Sequence, residues 1–392
     1  MNIFSPLYVA REKRIRKREV YISEKLPEYV SAQFIGGKLA FLPFGVTSVR
    51  VSDINRLGGG SNEVYSLMIT YRISGSEHQL HLILKTCVKS LEPILKPFTN
   101  HKIFSRLRYT YPQLYQGTLE RCVKEFQVLH GLERVDFPAP RAYLCECDSN
   151  VLGFPFIIMQ KEEIPQNRGD YSDCSAKYLA RLHNLEMTSL GIDVLKAPTD
   201  DDVFARRCLS FFKVLLNFYP KHCNGLKKDF EFAIRWLESN ISNARCPKYC
   251  LIHGDYHPNV NTVLRKDPGM IVIDWEDAEI GDPAYDVGYA YTRVKADWGE
   301  KTADQFVQEY IRYFGSDIDE RLLFYKLVAH LGEAILHSSV LSNPLTAYEI
   351  RGTTALLSFP FLRFPFIAKN TGTALDVIWP ESFKEFVEEN LK

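Results

Sequence analysis

The sequence has no excess of charge of either sign. Lysine and arginine together number 48, aspartate and glutamate also number 48, and the formal net charge is zero. Proteins that bind nucleic acids draw most of their affinity from neutralising phosphates, so this balance argues against a nucleic acid as the partner. It still leaves room for a local phosphate site.

Long apolar runs and loop-forming residues are also scarce. No stretch approaches the roughly 20 apolar residues of a membrane helix, so we expect no membrane partner. With 22 glycines and 20 prolines among 392 residues, a mostly disordered chain is not expected either. The N-terminus shows no apolar signal core before its first charges, and its basic run, Arg11–Arg18, is typical of the solvated face of a helix. These features predict a cytoplasmic protein.

The cysteine spacings of a zinc site or a disulfide framework are missing as well. The nine cysteines are odd in number and form no paired C-x-x-C motifs. Two close pairs exist, Cys145 with Cys147 and Cys246 with Cys250, but neither has further zinc ligands at the usual spacing. We therefore expect reduced, mostly buried thiols.

The order of the apolar patterns predicts an α+β fold in two lobes. Strand-like runs at 64–72 and 79–87 flank a turn signal, a helical pattern covers 119–134, and strand-like runs follow at 142–145 and 154–159. After Gln160 the patterns at 172–190, 203–240 and 301–340 are helical. We expect a small β-rich N-terminal lobe over residues 1–160, which includes an extension at 1–50. A larger, mostly helical C-terminal lobe over 161–392 would carry the catalytic loop and the substrate site.

Two acids follow two apolar runs in the second half of the chain. The run that begins at Leu251 leads into a polar loop with Asp255, and the run that begins at Met270 leads to Asp274, 19 residues later. A hairpin-like path through Val263 would bring both carboxylates to the same end of a sheet. One acid could then take a proton from a hydroxyl while the other, with an amide, holds a divalent cation. Strands whose polar ends are merely solvated are the alternative, which two acids and an amide make the weaker interpretation.

This block resembles the aminoglycoside phosphotransferase and choline kinase-like family, which has the two-lobed protein-kinase-like fold. The family carries an H-G-D-x-H-x-x-N loop, an apolar strand and I-D-[WF]. The matching residues are His253, Gly254, Asp255, His257, Pro258, Ile273, Asp274 and Trp275. The resemblance implies that Asp255 is the catalytic base and that Asp274 binds Mg²⁺. The later G-D-P-x-x-D segment also matches, and we expect its Asp286 and the upstream His183 to be structural.

The resemblance extends to the nucleotide site. Gly59, Gly60 and Ser61 stand where the family covers the phosphates of ATP, and Lys85, at the end of an apolar run, would contact the α- and β-phosphates. Glu125 is the best match for the carboxylate that pairs with this lysine, and Glu133 is the fallback. Gln160 falls where the family places its hinge, whose backbone would bind adenine.

The metal-binding amide departs from the family pattern. The family has this asparagine five residues after the catalytic acid, where this chain has Val260, which cannot ligate Mg²⁺. Asparagines flank it on both sides. We expect Asn261 to be the ligand through a one-residue insertion in the loop, with Asn259 as the runner-up.

The resemblance implies an ATP- and Mg²⁺-dependent phosphotransferase that acts on the hydroxyl of a small molecule, such as an aminoglycoside, a sugar or choline. A catalytically silent pseudokinase that binds nucleotide or a partner protein is the alternative, and the irregular catalytic loop is its best support. A protein kinase is less consistent with the sequence, because His253-Gly254-Asp255 replaces H-R-D. The apolar run Leu356–Ile367 would pack on the helical lobe or, if exposed, favour a homodimer.

Overall fold

The computed structural model describes residues 5–39, 41–58, 62–87, 118–162, 172–217, 224–264, 269–315 and 318–341. The described residues up to 162 belong to one compact unit and those from 172 onward to another. The sequence-based boundary after residue 160 stays a prediction, because 163–171 lie outside the described residues. The run Leu356–Ile367 also lies outside them.

The first unit is built on a five-stranded antiparallel sheet in the order β1-β2-β3-β5-β4. Its elements are α1 (Ser5–Ile35), β1 (Val46–Gly58), β2 (Val64–Ile73), β3 (Ser76–Thr86), α2 (Thr118–Arg134), β4 (Ala142–Glu146), α3 (Ser149–Leu152) and β5 (Phe156–Gln160). The extension expected before the sheet is therefore helical over most of its length.

Alternation along β3 separates the two faces of this sheet. Leu82 and Leu84 are fully buried in one apolar core with Ile22 and Leu26 of α1. Successive side chains of a strand point to opposite faces, so Lys85 lies on the face opposite α1. The core on one face thus fixes which way the lysine points.

The second unit is mostly helical with two small sheets. Its helices are α4 (Ser172–His183), α5 (Met187–Leu190), α6 (Val203–Asn217), α7 (Asn224–Ser239), α8 (Pro283–Trp298), α9 (Glu300–Phe314) and α10 (Asp319–Leu341). Its strands are β6 (Cys250–Ile252), β7 (Thr262–Leu264), β8 (Met270–Val272) and β9 (Glu279–Gly281). Helix α8 packs against both α9 and α10, and α4 packs against α9.

The pairing of the short strands corrects one expectation. The β7–β8 hairpin is present, with Val263 opposite Ile271. The strand before Asp255 does not join it, because β6 pairs with β9, a strand that the apolar pattern did not reveal. Three residues are too short for a recognisable alternation, so β9 had no periodic signal.

The long helical patterns divide in the structure. The stretch predicted as helical at 172–190 ends at His183 and resumes only as the short α5. Helix α9 ends at Phe314, and the following Gly315 has a φ of 80°, a left-handed conformation typical of a helix C-terminus. Among the described helices, none combines the length and the apolar composition that a membrane crossing requires.

Candidate active site

A buried ion pair joins β3 to α2 in the first unit. Lys85 Nζ lies 2.8 Å from Glu125 Oε1, and the two side chains are only 8% and 3% exposed. Burying either charge without a partner would be costly, so each residue requires the other. The ion pair predicted from the sequence is confirmed. The fallback is not needed, and Glu133 pairs instead with Arg141 at 2.7 Å in a more exposed position.

The other predicted nucleotide residues of this unit are less informative. Gly59, Gly60 and Ser61 lie outside the described residues. Gln160 ends β5, where its N–H donates to the carbonyl of Arg141 at 2.8 Å. Its side chain faces the same side of the sheet as its strand partner Leu82, away from Lys85, and lines an open cavity of about 370 Å³. Any contact of Gln160 with a nucleotide stays a prediction.

The loop after β6 is anchored by one buried carboxylate. Asp286 of α8 accepts hydrogen bonds from the main-chain N–H groups of His253, at 2.6 Å, and Gly254, at 2.9 Å. His183 Nε2 lies 3.2 Å from the same carboxylate, and its Nδ1 lies 2.8 Å from the hydroxyl of Tyr310. Asp286 and His183 thus have the structural roles expected from the sequence.

Gly254 occupies a position that only glycine fits. Its φ is +85°, and a Cβ built there would lie 2.4 Å from the main-chain oxygen of Asp277. The loop with Asp255 therefore runs directly against the segment that follows Asp274.

The side chain of His253 links the two acidic loops. Its Nε2 lies 2.9 Å from the carbonyl oxygen of Ile273, which can only accept, so Nε2 carries the proton. Its Nδ1 accepts from the main-chain N–H of Asp255 at 3.3 Å. The ring also packs on Trp275, with centroids 4.7 Å apart. One imidazole thus contacts the residue before Asp274 and the backbone of Asp255 itself.

Asp255 is half-buried and surrounded by polar groups. Its Oδ2 accepts from Asn261 Nδ2 at 3.1 Å, and it also forms a hydrogen bond with Tyr289. Burial is the main cause that raises the pKa of its carboxyl to about 7; Arg293 and the Tyr289 hydrogen bond oppose the shift, and Asp277 and Asp274 add to it. A carboxyl whose pKa is near neutrality suits a general base.

The structure separates the two candidate amides. Asn261 is buried and donates to both the main-chain oxygen and the carboxylate of Asp255. Asn259 instead donates to Asp297 at 3.3 Å, and His257 lies 3.0 Å from the same carboxylate oxygen. Val260 between them is exposed. The geometry is consistent with the predicted one-residue insertion, and metal binding by either asparagine stays a prediction.

Asp274 stands in a strained backbone conformation directly after the β8 segment. Its φ of 68° and ψ of 59° are left-handed, and it precedes a short 3₁₀ turn, Trp275–Asp277. For a residue other than glycine this costs on the order of 1–3 kcal/mol, which other contacts must offset. The buried Trp275 does so in part, since its Nε1 donates to the carbonyl of Val272 at 2.8 Å.

The available donors fit a hard divalent cation. Mg²⁺ prefers oxygen ligands, commonly one or two carboxylates completed by water and substrate phosphates. Asp274 and Asn261 offer such oxygens. Within the described ranges no group of three His, Cys, Asp or Glu side chains is arranged to hold a metal by itself.

The sequence analysis missed Tyr289 and Arg293. Both lie on α8, three and seven residues after Asp286, and this spacing places all three on one helix face. Arg293 Nη2 donates to the Tyr289 hydroxyl. Helical periodicity counted from Asp286 could have pointed to both residues.

Comparison with known proteins identifies the family. The family model described as the phosphotransferase enzyme family matches residues 70–325, which is more than half of the chain. The chain belongs to the phosphotransferase enzyme family. It is a small-molecule phosphotransferase by that membership.

Solved structures agree on the protein-kinase-like fold. A protein of Ralstonia eutropha assigned as an aminoglycoside phosphotransferase is 15% identical, with 92% of this chain and 98% of that chain covered and a TM-score of 0.53. A mutant of aminoglycoside 2'-phosphotransferase-IIIa in complex with GDP is 17% identical, with 90% of this chain and 99% of that chain covered and a TM-score of 0.50. At these identities the likeness shows the fold alone, which is the α+β fold expected.

The curated proteins similar to this chain are named as acyl-CoA dehydrogenases. The probable acyl-CoA dehydrogenase IBR3 of Arabidopsis thaliana is 27% identical over 190 residues, which are 43% of this chain and 22% of that protein. Acyl-CoA dehydrogenase family member 10 of Mus musculus is 25% identical over 181 residues, which are 43% of this chain and 16% of that protein. The matched segment thus spans about a fifth of the length of these relatives.

Proposed function

We propose that this phosphotransferase transfers the γ-phosphate of ATP to a hydroxyl of a small molecule, with Mg²⁺ as the cofactor. The observation that carries the proposal is the position of Asp255. A half-buried carboxyl with a pKa near 7 is held by Asn261 and follows a loop that contacts the segment around Asp274. This arrangement suits proton removal from an alcohol beside a cation.

The residues of the first unit would bind the nucleotide. The Lys85 ammonium, held by Glu125, would contact the α- and β-phosphates, and Gly59, Gly60 and Ser61 would cover them through backbone N–H groups. Gln160 would lie near the adenine. Because Lys85 is already oriented by its ion pair, little conformational entropy is lost when phosphate binds.

The residues of the second unit would carry the chemistry. Asp274 and Asn261 would hold Mg²⁺, which supplies neutralisation of the phosphate charge when it is bound. Asp255 would accept the proton of the acceptor hydroxyl while the oxygen of that hydroxyl bonds to the γ-phosphorus. The bond from phosphorus to the bridging oxygen of ATP would break, and ADP would leave with the bonding electrons.

The family membership points to the class of the acceptor. We propose an alcohol of aminoglycoside, sugar or choline type, in line with the family and with the names of the similar structures. A cytoplasmic location, where thiols are kept reduced, also belongs to the proposal. A homodimer through Leu356–Ile367 stays a prediction.

The test is a phosphotransfer assay with the full chain, ATP and Mg²⁺ against a panel of small alcohols and a generic protein substrate. We expect acceptor-dependent ADP release from one class of alcohol, and phosphorylated product by mass spectrometry. Transfer only to the protein substrate would overturn the proposal. A nucleotide-dependent increase in melting temperature without turnover on any acceptor would favour the pseudokinase instead.

A further inference from the structure

Four cysteines from three segments of the chain lie close together in the first unit. Cys122 lies on α2, Cys145 on β4, Cys147 just after β4, and Cys87 just after β3; we call these four residues the thiol cluster. The Sγ atoms of Cys122 and Cys145 are 3.6 Å apart, and those of Cys145 and Cys147 are 3.8 Å apart. Cys87 lies near enough to Cys122 to help raise the pKa of the Cys122 thiol. The cluster is not part of the site described above.

The thiol cluster runs from the surface into the core. Cys147 is exposed, Cys145 is half-buried, and Cys122 and Cys87 are buried. Hydrogen bonds from Cys122, and then from Cys147, lower the pKa of Cys145 below its usual value, although burial opposes this shift. Since the thiolate is the nucleophilic form, Cys145 is the member of the cluster that we expect to attack a solute oxidant.

Geometry favours a bond between Cys122 and Cys145 over one between Cys145 and Cys147. Two residues that are two apart in an extended segment have Cα atoms about 6.6 Å apart, close to the upper limit for an unstrained disulfide. Cys122 and Cys145 face each other from different elements. Their sulfurs need to approach by only about 1.5 Å to reach the bonding distance.

Members of the thiol cluster lie close in sequence to both residues of the Lys85–Glu125 ion pair. Cys122 precedes Glu125 by three residues, which is about one turn of α2. Cys87 follows Lys85 by two residues along the chain. The ion pair is well formed at 2.8 Å while the cysteines are free. Glu125 is part of α2. Any shift of α2 toward β4 therefore moves the Glu125 carboxylate and disturbs an ion pair whose geometry is already favourable.

We propose that Cys122 and Cys145 are a reversible redox pair, whose disulfide displaces α2, weakens the Lys85–Glu125 ion pair and so lowers the affinity for ATP. The effect on ATP rests on the proposed function, whereas the disulfide itself does not. A peroxide supplies the oxidant: the Cys145 thiolate displaces hydroxide from the peroxide and becomes a sulfenic acid. The Cys122 thiol then attacks that sulfur, and water leaves with the hydroxyl oxygen and the thiol proton. In total two thiols lose two electrons and two protons, and hydrogen peroxide becomes two waters.

The test treats the full chain with hydrogen peroxide, blocks the remaining thiols by alkylation and maps the cross-linked peptides by mass spectrometry. We expect a peptide that links Cys122 to Cys145, and its loss after reduction with dithiothreitol. Calorimetry with ATP and Mg²⁺ on the reduced and oxidised forms measures the consequence. We expect a dissociation constant about tenfold higher in the oxidised form, within the usual range of couplings between sites.

Two variants complete the test. Cys145→Ser removes the half-buried thiol, so ATP affinity should then be insensitive to peroxide. Cys174→Ser removes a cysteine of the second unit that is also partly exposed, and this variant should respond to peroxide like the unmodified chain.

The possible results separate the two proposals. If neither the reduced nor the oxidised chain binds ATP, the proposed function is overturned, and so is the proposed effect of the disulfide on ATP affinity. Equal affinity for ATP in the reduced and oxidised forms overturns only the proposed effect of the disulfide on ATP affinity. A Cys145–Cys147 link, or no link at all, overturns the redox pair.

Discussion

The side-chain amide of Asn261 donates to both the main-chain oxygen and the carboxylate Oδ2 of Asp255, at 2.7 and 3.1 Å. One residue therefore supports the backbone of the loop that carries Asp255 and orients the carboxylate proposed as the base. The amide oxygen of the same side chain is the group that we propose as a Mg²⁺ ligand.

Replacement of Asp255 by Asn should abolish proton abstraction and leave the nucleotide-binding residues in place. We expect kcat to fall by about 10²- to 10⁴-fold, the usual contribution of a general base, with an unchanged dissociation constant for ATP. Steady-state kinetics and calorimetry measure the two quantities. Asp193→Asn, at an exposed position of the same unit, is the matched control and should keep full activity. Near-normal turnover in the Asp255 variant would contradict the assignment.

The two flanking asparagines offer a direct comparison. Asn261→Ala should weaken the apparent affinity for Mg²⁺ by at least about 10- to 100-fold, the loss typical of even an outer-shell partner. Asn259→Ala removes the hydrogen bond to Asp297 and should leave the Mg²⁺ dependence of turnover unchanged. Titration of activity with Mg²⁺ at saturating ATP distinguishes them. The reverse ranking would make Asn259 the ligand.

The Lys85–Glu125 ion pair should matter for stability as well as for ATP. Glu125→Gln leaves a buried ammonium without its carboxylate, so we expect a loss of about 3–5 kcal/mol in the free energy of unfolding. Glu133→Gln breaks the more exposed pair with Arg141 and should cost only about 0–1 kcal/mol. Urea unfolding of both variants provides the measurement. Equal effects would mean that the Lys85 environment is more solvated than the structure indicates.

Gly254 should tolerate no side chain. Gly254→Ala combines a left-handed φ with a contact of 2.4 Å to the main-chain oxygen of Asp277. At Gly315, φ is +80° and no atom lies within 4 Å of the added Cβ, so Gly315→Ala isolates the backbone cost of about 1–2 kcal/mol. We expect Gly254→Ala to lose clearly more stability than this control, and to lose turnover. A similar loss of stability in both variants would show that the loop accommodates the added methyl group without further strain.

The buried His330 should make stability depend on pH. Burial is the main cause that lowers its pKa to about 3, and the charges of Lys295, Arg293 and Lys326 lower it further. In the folded chain His330 is therefore neutral at moderate pH, whereas in the unfolded chain it binds a proton below its ordinary pKa of 6.5. The unfolded state then binds more protons, so stability falls as the pH drops below 6.5 and continues to fall toward pH 3.

For this single group the loss between pH 7.5 and 5 is about 2 kcal/mol. His330→Phe should flatten that part of the profile. Urea unfolding at several pH values would measure it, and an unaltered profile in the variant would contradict the prediction.

Local sequence patterns were sufficient to predict several elements of this protein. The strand-like run at 79–87 lies largely within β3, and the helical pattern at 119–134 matches α2 closely, because the burial of one face imposes a period on the sequence. The polar loops after two apolar runs predicted where Asp255 and Asp274 stand. Strands of three residues and the breaks within the long helical patterns were not predicted, since their sequence signals are too short.

The sequence by itself determined the family and the positions of the two acidic loops that follow apolar runs. Each of these depends on spacing within one segment. The tertiary structure decided which of two glutamates pairs with Lys85, and which of two asparagines contacts Asp255. It also decided that His253 links the two acidic loops, and that cysteines from α2, β4 and the end of β3 meet. These contacts join residues far apart in the chain, and their distances depend on how whole elements pack, which spacing within one segment does not encode.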